Sequence, residues 1–271
     1  MKLRVSFIDF LNAVPLGWGF LEGPYQDAFD LLFDVPSVCA RRLATGEAEV
    51  GLIPAIEYHN IDGLQVLPDI AIASKKGVQS VLFVSQVPIE EVSRVALDPS
   101  SRSSVVLLKI LLHRFYEKGG VEYMESSAHP FTPGAGADAA LIIGNPALKT
   151  ATENLFVYDL AREWNRFTGL PFVFAFWAVR DGVRLGGLQE IFYRSRDLGL
   201  QQVERIADLY SEKLGLSQEA IRHYIICNLS YSLQEDDLLG LRRFYELAFQ
   251  LELVPRLREL EFYRDPVTKR V

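Results

Sequence analysis

The sequence predicts an α/β fold built as two lobes with a ligand cleft between them. Strand-like apolar runs alternate along the chain with segments of helical periodicity, which is typical of α/β folds. A motif in the first half, AEVGLIP at residues 48–54, is echoed by ADAALII at residues 137–143. Two lobes of similar design explain this echo, and so do two unrelated buried strands.

Two further strand-like segments favour the two-lobe interpretation. They are SVLFVS at residues 80–85 and FVFAFWAV at residues 172–179, and they bracket the middle of the chain. A chain that leaves one lobe and later returns needs two such crossings, and paired crossings form a hinge beside a cleft. We therefore expect lobe 1 to comprise residues 1–86 and 175–271, and lobe 2 to comprise residues 87–174.

The first elements can be predicted in order from local signals. Residues 3–8 alternate between apolar and polar as a strand does, and Pro15 suits the first turn of a helix that reaches about Leu21. A second helix fits residues 36–45 and ends at Gly46. These elements lead into the strand of the echoed motif.

The C-terminal part of the chain is predicted to be helical from about Gly187 onward. The pattern SLQE at residues 232–235 is typical of a capping box at the start of a helix. The apolar residues that follow on one face of this helix are Leu238, Leu241, Tyr245 and Ala248. We expect this helical tail to pack on lobe 1.

Composition and charge exclude several classes of function. Of the 271 residues 49% are hydrophobic, which suits a large core, and the net charge is −7. No cluster of basic and aromatic residues indicates nucleic-acid binding. The start, MKLRVSFIDF, lacks the pattern of a signal peptide, and no run of about 18 apolar residues predicts a membrane span. We expect a cytoplasmic protein that binds neither nucleic acid nor membrane.

Cysteines and histidines give no sign of a metal centre or a general base. Cys39 and Cys227 are far apart in sequence and are expected to be reduced, buried thiols. The four histidines show no metal-ligand spacing, so no metal site is predicted. Each is expected to be structural or exposed; they are His59, His113, His129 and His223.

The strongest local signal of a binding site is DPSSRSS at residues 98–104. The serines of this motif crowd the start of an apolar helix, where free N–H groups, hydroxyls and the helix dipole bind a carboxylate or phosphate. Arg102 adds a positive charge. Ordinary N-capping explains one serine, whereas four around an arginine favour anion binding. The candidate anion ligands are Ser101, Arg102, Ser103 and Ser104.

Polar residues beside predicted strand ends are weaker candidates. With a helix from Pro15, Asn12 lies too early to cap it and follows the first strand, where ligands of open α/β sheets bind. A turn closed by the Asn12 side chain is equally well supported. Ser80 by itself is typical of a turn, since no G-x-S-x-G elbow surrounds it. Gly144-Asn145-Pro146 follows the second echoed strand, and a turn alone explains it as well.

Six motifs together resemble a known enzyme family. They occur in family order between residues 4 and 180, and each is weak alone. They are FIDFLNAVPL, IPAIEYH, LPDIAIASKKGVQSVLFVS, LDPSSRSSVVLLKILL, ALIIGNPAL and DLAREWNRFTGLPFVFAFWAVR. The chain resembles the chorismate dehydratase family of the futalosine route to menaquinone, cytoplasmic enzymes with the two-lobed fold of type II periplasmic binding proteins.

The resemblance implies a function, a substrate and site residues. The substrate is chorismate, which loses water to give 3-[(1-carboxyvinyl)oxy]benzoate, with the substrate's own enolpyruvyl carboxylate as the base and without a cofactor. The functional polar groups of the family fall on Asn12 and Ser80. The family often has serine at Ala55 and aspartate at Asn145, so we expect these two positions to contribute to substrate binding and to alter its detail here.

Two other functions remain open on the sequence. A sibling enzyme of the same pathway, the dihydroxynaphthoate synthase, shares the fold, but its Cys-Pro-Asn type of turn differs from LNAVP here. A non-catalytic anion-binding protein would use the same cleft. The sequence leaves the oligomeric state undetermined.

Overall fold

The computed structural model describes residues 2–125 and 136–265; His129 lies outside them. Its strands are β1 Leu3–Ile8, β2 Phe29–Asp34, β3 Val50–Pro54, β4 Leu64–Ser74, β5 Val81–Ser85, β6 Arg94–Leu97, β7 Glu122–Glu125, β8 Ala139–Ile143, β9 Phe156–Asp159 and β10 Phe172–Arg180. Its α-helices are α1 Val14–Leu21, α2 Pro36–Thr45, α3 Arg102–Ile110, α4 Gly144–Lys149, α5 Leu160–Thr168, α6 Gln189–Gln201, α7 Val203–Leu214, α8 Gln218–His223 and α9 Glu235–Gln250. No helix within these residues has both the length and the apolarity needed to cross a bilayer.

The strands form two five-stranded sheets of the same design. The first has the order β2-β1-β3-β10-β4 and the second the order β7-β6-β8-β5-β9. In each, the central strand pairs in parallel on one side and antiparallel on the other. The central strands β3 and β8 carry the two halves of the sequence echo. The echo therefore marks two sheets of similar design.

The two segments expected to cross between lobes occupy equivalent positions in different sheets. β5 lies fourth in the second sheet and β10 lies fourth in the first. Because β5 pairs along its length with β8 and β9, sheet membership assigns residues 81–85 to the second unit, although we expected residues 1–86 in lobe 1. The crossing of the chain then lies at residues 75–80. The lobe boundaries at 86/87 and 174/175 remain a prediction.

Helices α1 and α2 follow the local signals that predicted them. α1 begins one residue before Pro15 and ends at Leu21, with Ala13 at its N-cap. α2 ends at Gly46, which adopts the left-handed conformation (φ 78°) that glycine accommodates without strain. Both helices pack against the first sheet, α2 on β3 and β1, and α1 through Phe20, whose ring contacts Phe7 and Trp177.

The helical tail packs on the first sheet and on α1. The N–H of Gly19 in α1 donates to Oγ of Ser195 in α6 at 2.8 Å, and Trp177 of β10 packs on Phe192 of α6 with ring centroids 4.9 Å apart. Leu241, Tyr245 and Ala248 of α9 are buried. The tail is thus part of the core of the first unit.

The expected capping box of α9 is wrong by two residues. Gln234, not Ser232, is the N-cap, and it forms a capping box with Asp237. The Ser232 hydroxyl instead pairs with the hydroxyl of Ser230 at 3.1 Å. Since Ser230 bridges to β4, this pairing holds Ser232 outside the helix.

The cysteines differ from each other in exposure. Cys39 is buried, and burial raises the pKa of its thiol to about 11, so the thiol stays protonated. Cys227 is exposed, contrary to the expectation that both thiols are buried. It lies on the outer surface of a π-helical turn, Tyr224–Asn228, whose buried residues are Tyr224 and Ile225.

Candidate active site

A cavity between the two sheets contains six of the eight expected site residues. The empty space between its walls, part of it open to solvent, is about 490 Å³. β1 and β10 of the first sheet and β5 and β8 of the second all contribute to its walls. The expected residues that line it are Asn12, Ser80, Ser101, Arg102, Ser103 and Ser104.

Strand ends explain why these residues converge. Asn12 lies in a 3-10 turn, Leu11–Ala13, that follows β1, and α3 begins shortly after β6 ends. The carboxyl ends of β3 and β8 line the same cavity through Pro54 and Ile143. Ligands of open α/β sheets bind at such ends. The topology therefore brings together motifs that are far apart in sequence.

Asn12 has the features of a ligand-binding side chain. Its Oδ1 atom is buried and has no hydrogen-bond partner among the described residues. The turn is closed by the N–H of Ala13, which donates to the carbonyl of Phe10 at 3.0 Å, so the Asn12 side chain is not needed to close it. A buried carbonyl oxygen without a donor is costly. This cost favours a role in binding over a role in the turn.

A hydrogen bond from the helical tail holds the side chain of Ser80. It is fully buried, and its Oγ atom accepts a hydrogen bond of 2.6 Å from the hydroxyl of Tyr224. The preceding residue, Gln79, has a φ of 60°, and its N–H donates to Oδ2 of Asp159 at 2.6 Å. Sequence reasoning missed Tyr224, because the tail carries no motif that points toward residue 80.

The serines around the start of α3 differ in their hydrogen-bond partners. Ser100 turns toward Asp98, whose Oδ1 atom accepts from its hydroxyl at 2.6 Å. Ser101 is the N-cap residue, but its side chain makes no capping hydrogen bond, so ordinary capping does not explain it. Ser103 accepts the N–H of Ile56 at 3.2 Å and ties α3 to the segment after β3.

The start of α3 gives the cavity a positive end. Arg102 is the one charged residue among the cavity-lining residues of the described chain. The first N–H groups of a helix have no partners within it and attract anions. Together with the hydroxyl of Ser101 they form a set of donors suited to a carboxylate.

Ala55 and Asn145 do not line the cavity in the described structure. Ala55 is fully buried, and its carbonyl accepts the hydroxyl of Tyr245 at 2.7 Å. Oδ1 of Asn145 accepts the N–H of Leu11 at 2.9 Å. Asn145 follows β8, at the start of α4 instead of in a separate turn, and so ties the second unit to the turn that carries Asn12.

The described histidines lie away from the cavity lining. His59 is buried, and its Nδ1 atom accepts the N–H of Arg258 at 3.2 Å. Burial first, and then Arg258 and Arg256, lower the pKa of His59 to about 4, so it is neutral. His113 and His223 are exposed. Within residues 2–125 and 136–265, no group of three or more histidine, cysteine or acidic side chains is arranged to hold a metal ion.

Comparison with known proteins assigns the family. A model of a family described as "Menaquinone biosynthesis" matches residues 3–250. A chorismate dehydratase of Thermus thermophilus is 33% identical, over 84% of this chain and 90% of its own length. The chain belongs to the menaquinone biosynthesis family. The family expected from the sequence motifs is thereby confirmed.

Solved structures show that this family member has the fold of periplasmic binding proteins. A protein of Archaeoglobus fulgidus matches with a TM-score of 0.75 and 20% identity, over 93% of this chain and 98% of its own. The periplasmic aliphatic sulphonate binding protein of Escherichia coli matches with a TM-score of 0.63 and 15% identity, over 100% of this chain and 96% of its own. The predicted fold is confirmed.

The close approach of Gly144 to the Phe10 ring leads to a first testable prediction. Gly144 has a φ of 64°, and a Cβ atom there would lie 2.8 Å from the Phe10 ring. We expect Gly144→Ala to lower the free energy of unfolding by about 2–4 kcal/mol, from backbone strain plus overpacking. Urea denaturation measures the loss.

Gly182→Ala is the matched control. Gly182 has a φ of 79° with no other atom within 4 Å of the added Cβ, so this variant carries the backbone strain alone, about 1–2 kcal/mol. Equal losses in the two variants would show that the contact with Phe10 is unimportant.

Proposed function

We propose that this protein is a chorismate dehydratase, which converts chorismate into 3-[(1-carboxyvinyl)oxy]benzoate and water. The observation that carries the proposal is the convergence of Asn12, Ser80 and the start of α3 in one cavity. The relation to a protein named chorismate dehydratase supports the choice of substrate. We also propose that the enzyme acts in the cytoplasm and without a cofactor.

The cavity suits a small ring with two carboxylates. Ile8, Phe10 and Phe174 provide apolar walls for a ring. Ser101 and Arg102 at the start of α3 hold one carboxylate through hydroxyl, N–H and guanidinium donors.

The lining also suits an elimination in which the substrate supplies the base. Among the described lining residues there is no histidine, lysine, cysteine, tyrosine or carboxylate side chain. The enolpyruvyl carboxylate of the substrate removes the proton from the ring carbon that bears the ether. The C–O bond on the neighbouring carbon then breaks, hydroxide leaves, and proton and hydroxide together make one water molecule. Formation of the aromatic ring drives this step.

Asn12 and Ser80 stabilise the charge that develops during this elimination. The donors are the NH2 group of the Asn12 amide and the hydroxyl of Ser80, and both residues line the cavity; Oδ1 of Asn12 can only accept, from a hydroxyl of the substrate. Donors that are already in place where charge develops lower the barrier, because no solvent has to reorganise. Closure of the two units around the bound substrate would exclude water and strengthen these interactions.

Incubation of the purified protein with chorismate tests the proposal. We expect consumption of chorismate and stoichiometric appearance of the enolpyruvyl benzoate, measured by chromatography with mass spectrometry. A protein-free incubation corrects for spontaneous rearrangement, and protein dialysed against a chelator should retain its activity. Unchanged chorismate in the presence of folded protein would refute the function, and binding without turnover would indicate a non-catalytic anion-binding protein.

A second testable prediction concerns Arg102, at the positive end of the cavity. Arg102→Gln removes the charge that we assign to a substrate carboxylate. Because Arg102 is partly in solvent, we expect a loss of only about 1–2 kcal/mol, which is about 5- to 30-fold in kcat/KM and mostly in KM. Steady-state kinetics measure this loss.

Lys109→Gln is the matched control for Arg102→Gln. Lys109 lies in the last turn of the same helix, so the change in net charge is the same but lies away from the cavity lining. Equal effects of both substitutions would mean that Arg102 acts only through the overall charge of the protein.

A further inference from the structure

The contact between Tyr224 and Ser80 joins the helical tail to the cavity. We propose that Tyr224 is a positioning residue, which fixes the direction in which the Ser80 hydroxyl donates its hydrogen into the cavity. This inference rests on the proposed function and deepens it. Tyr224 is not among the residues that line the cavity, so it acts through Ser80.

The geometry of the two hydroxyls supports this role. The Tyr224 hydroxyl donates to Oγ of Ser80 at 2.6 Å, and the two residues are 2% and 0% exposed. A serine hydroxyl rotates freely unless its surroundings hold it, and it has one hydrogen to donate. Since Oγ accepts from Tyr224, the hydrogen of Ser80 remains available to the cavity that Ser80 lines.

Burial keeps Tyr224 in the form that can donate. Burial raises the pKa of the Tyr224 phenol above its usual value; the hydrogen bond with Ser80 opposes this in part, and the charge of Asp159 adds a smaller increase. The phenol therefore keeps its hydrogen at physiological pH. A donor to Oγ also polarises the Ser80 O–H bond and strengthens the hydrogen bond that Ser80 makes in turn.

The local backbone holds both partners in place. Tyr224 begins the π-helical turn Tyr224–Asn228 that follows α8, and Asn228 ends it. Nδ2 of Asn228 donates to the carbonyl of Gly77 at 3.0 Å, in the turn that leads to Ser80. Asp159 holds the same turn from the second sheet through the N–H of Gln79. Single π-helical turns often occur at functional sites.

The chemical consequence concerns the departing hydroxide. As the ring C–O bond breaks, negative charge develops on the leaving oxygen, and the Ser80 hydroxyl donates a hydrogen bond to it. Tyr224 keeps its proton throughout and forms no bond with the substrate. The proton that completes the water molecule is the one removed from the ring.

Tyr224→Phe tests the proposal, with Tyr231→Phe as its matched control. Tyr231 is also buried, but its hydroxyl has no hydrogen-bond partner among the described residues. Removal of a group that donates directly to developing charge lowers kcat by about 100- to 1,000-fold. Removal of a residue that acts only through that donor should therefore lower kcat by less. We expect Tyr224→Phe to lower kcat about 5- to 100-fold with KM changed less than about 2-fold, and Tyr231→Phe to change neither.

A double-mutant comparison separates positioning from a structural role. If Tyr224 acts through Ser80, Tyr224→Phe should have no further effect on kcat in a Ser80→Ala protein. A further loss of the same size there, or equal kinetics of the Tyr224→Phe and Tyr231→Phe proteins, would overturn the inference while the proposed function stands. A folded wild-type protein that leaves chorismate unchanged would overturn the proposed function and this inference with it.

Discussion

Replacement of Asn12 by alanine is expected to lower kcat with chorismate by about 100- to 1,000-fold, the usual cost of removing one preorganised polar group at developing charge. The same substitution should leave the protein at least as stable as the wild type. Oδ1 of Asn12 is buried without a partner among the described residues, so its removal relieves an unsatisfied acceptor in the free enzyme. Steady-state kinetics and thermal unfolding measure the two effects.

The opposite changes in activity and stability make the Asn12 prediction specific. Residues that are selected for binding often cost stability in the free protein, whereas a turn-forming asparagine contributes to it. Asn60→Ala is the control, because the Asn60 amide donates to Glu57 at 3.2 Å on the surface and should not affect turnover. Loss of stability in Asn12→Ala with retained kcat would instead assign Asn12 to the turn.

Replacement of Ser80 by alanine is expected to lower kcat by a similar factor, about 100- to 1,000-fold, but with a different effect on stability. This substitution leaves the buried Tyr224 hydroxyl without its acceptor. An unsatisfied buried donor costs about 1–3 kcal/mol, so the free energy of unfolding should fall by that amount. Urea denaturation measures it, beside the kinetics.

The control for Ser80→Ala is Ser74→Ala. Ser74 is 1% exposed, and its Oγ atom has no partner among the described residues, so its removal should cost little stability or activity. In the Ser80→Ala protein, Tyr224→Phe removes the orphaned donor and should restore most of the lost stability. Full turnover in Ser80→Ala would place the chemistry elsewhere in the cavity.

The fold could be predicted largely from local patterns. Pro15 and Gly46 mark a helix start and a helix end through their own backbone preferences, and both helices are found there. The echo between residues 48–54 and 137–143 predicted two similar units, because both segments are the buried central strands of their sheets. Residues 81–85, which we expected in lobe 1, pair with strands of the second sheet, because strand pairing depends on partners that the segment itself does not reveal.

The candidate site could be predicted in part. Ser101, Arg102 and the other residues at the start of α3 were recognisable, because an accumulation of donors at a helix start is a local feature. Ala55 and Asn145 were expected to contribute to substrate binding, but they do not line the cavity. They form hydrogen bonds with Tyr245 and Leu11 instead, and the motifs contain no sign of these distant partners. Asn12 remained undecided on the sequence between turn and ligand. Its unpartnered Oδ1 atom now favours the ligand.

The sequence by itself determined the alternation of strands and helices, the two similar units and the family, because each depends on residues close together or on motif order. Only the tertiary structure decided which side chains meet. Tyr224 lies 144 residues from Ser80, and Asn145 lies 134 residues from Leu11. Such contacts depend on how the sheets and the tail pack, and packing is a property of the whole chain that no local pattern contains.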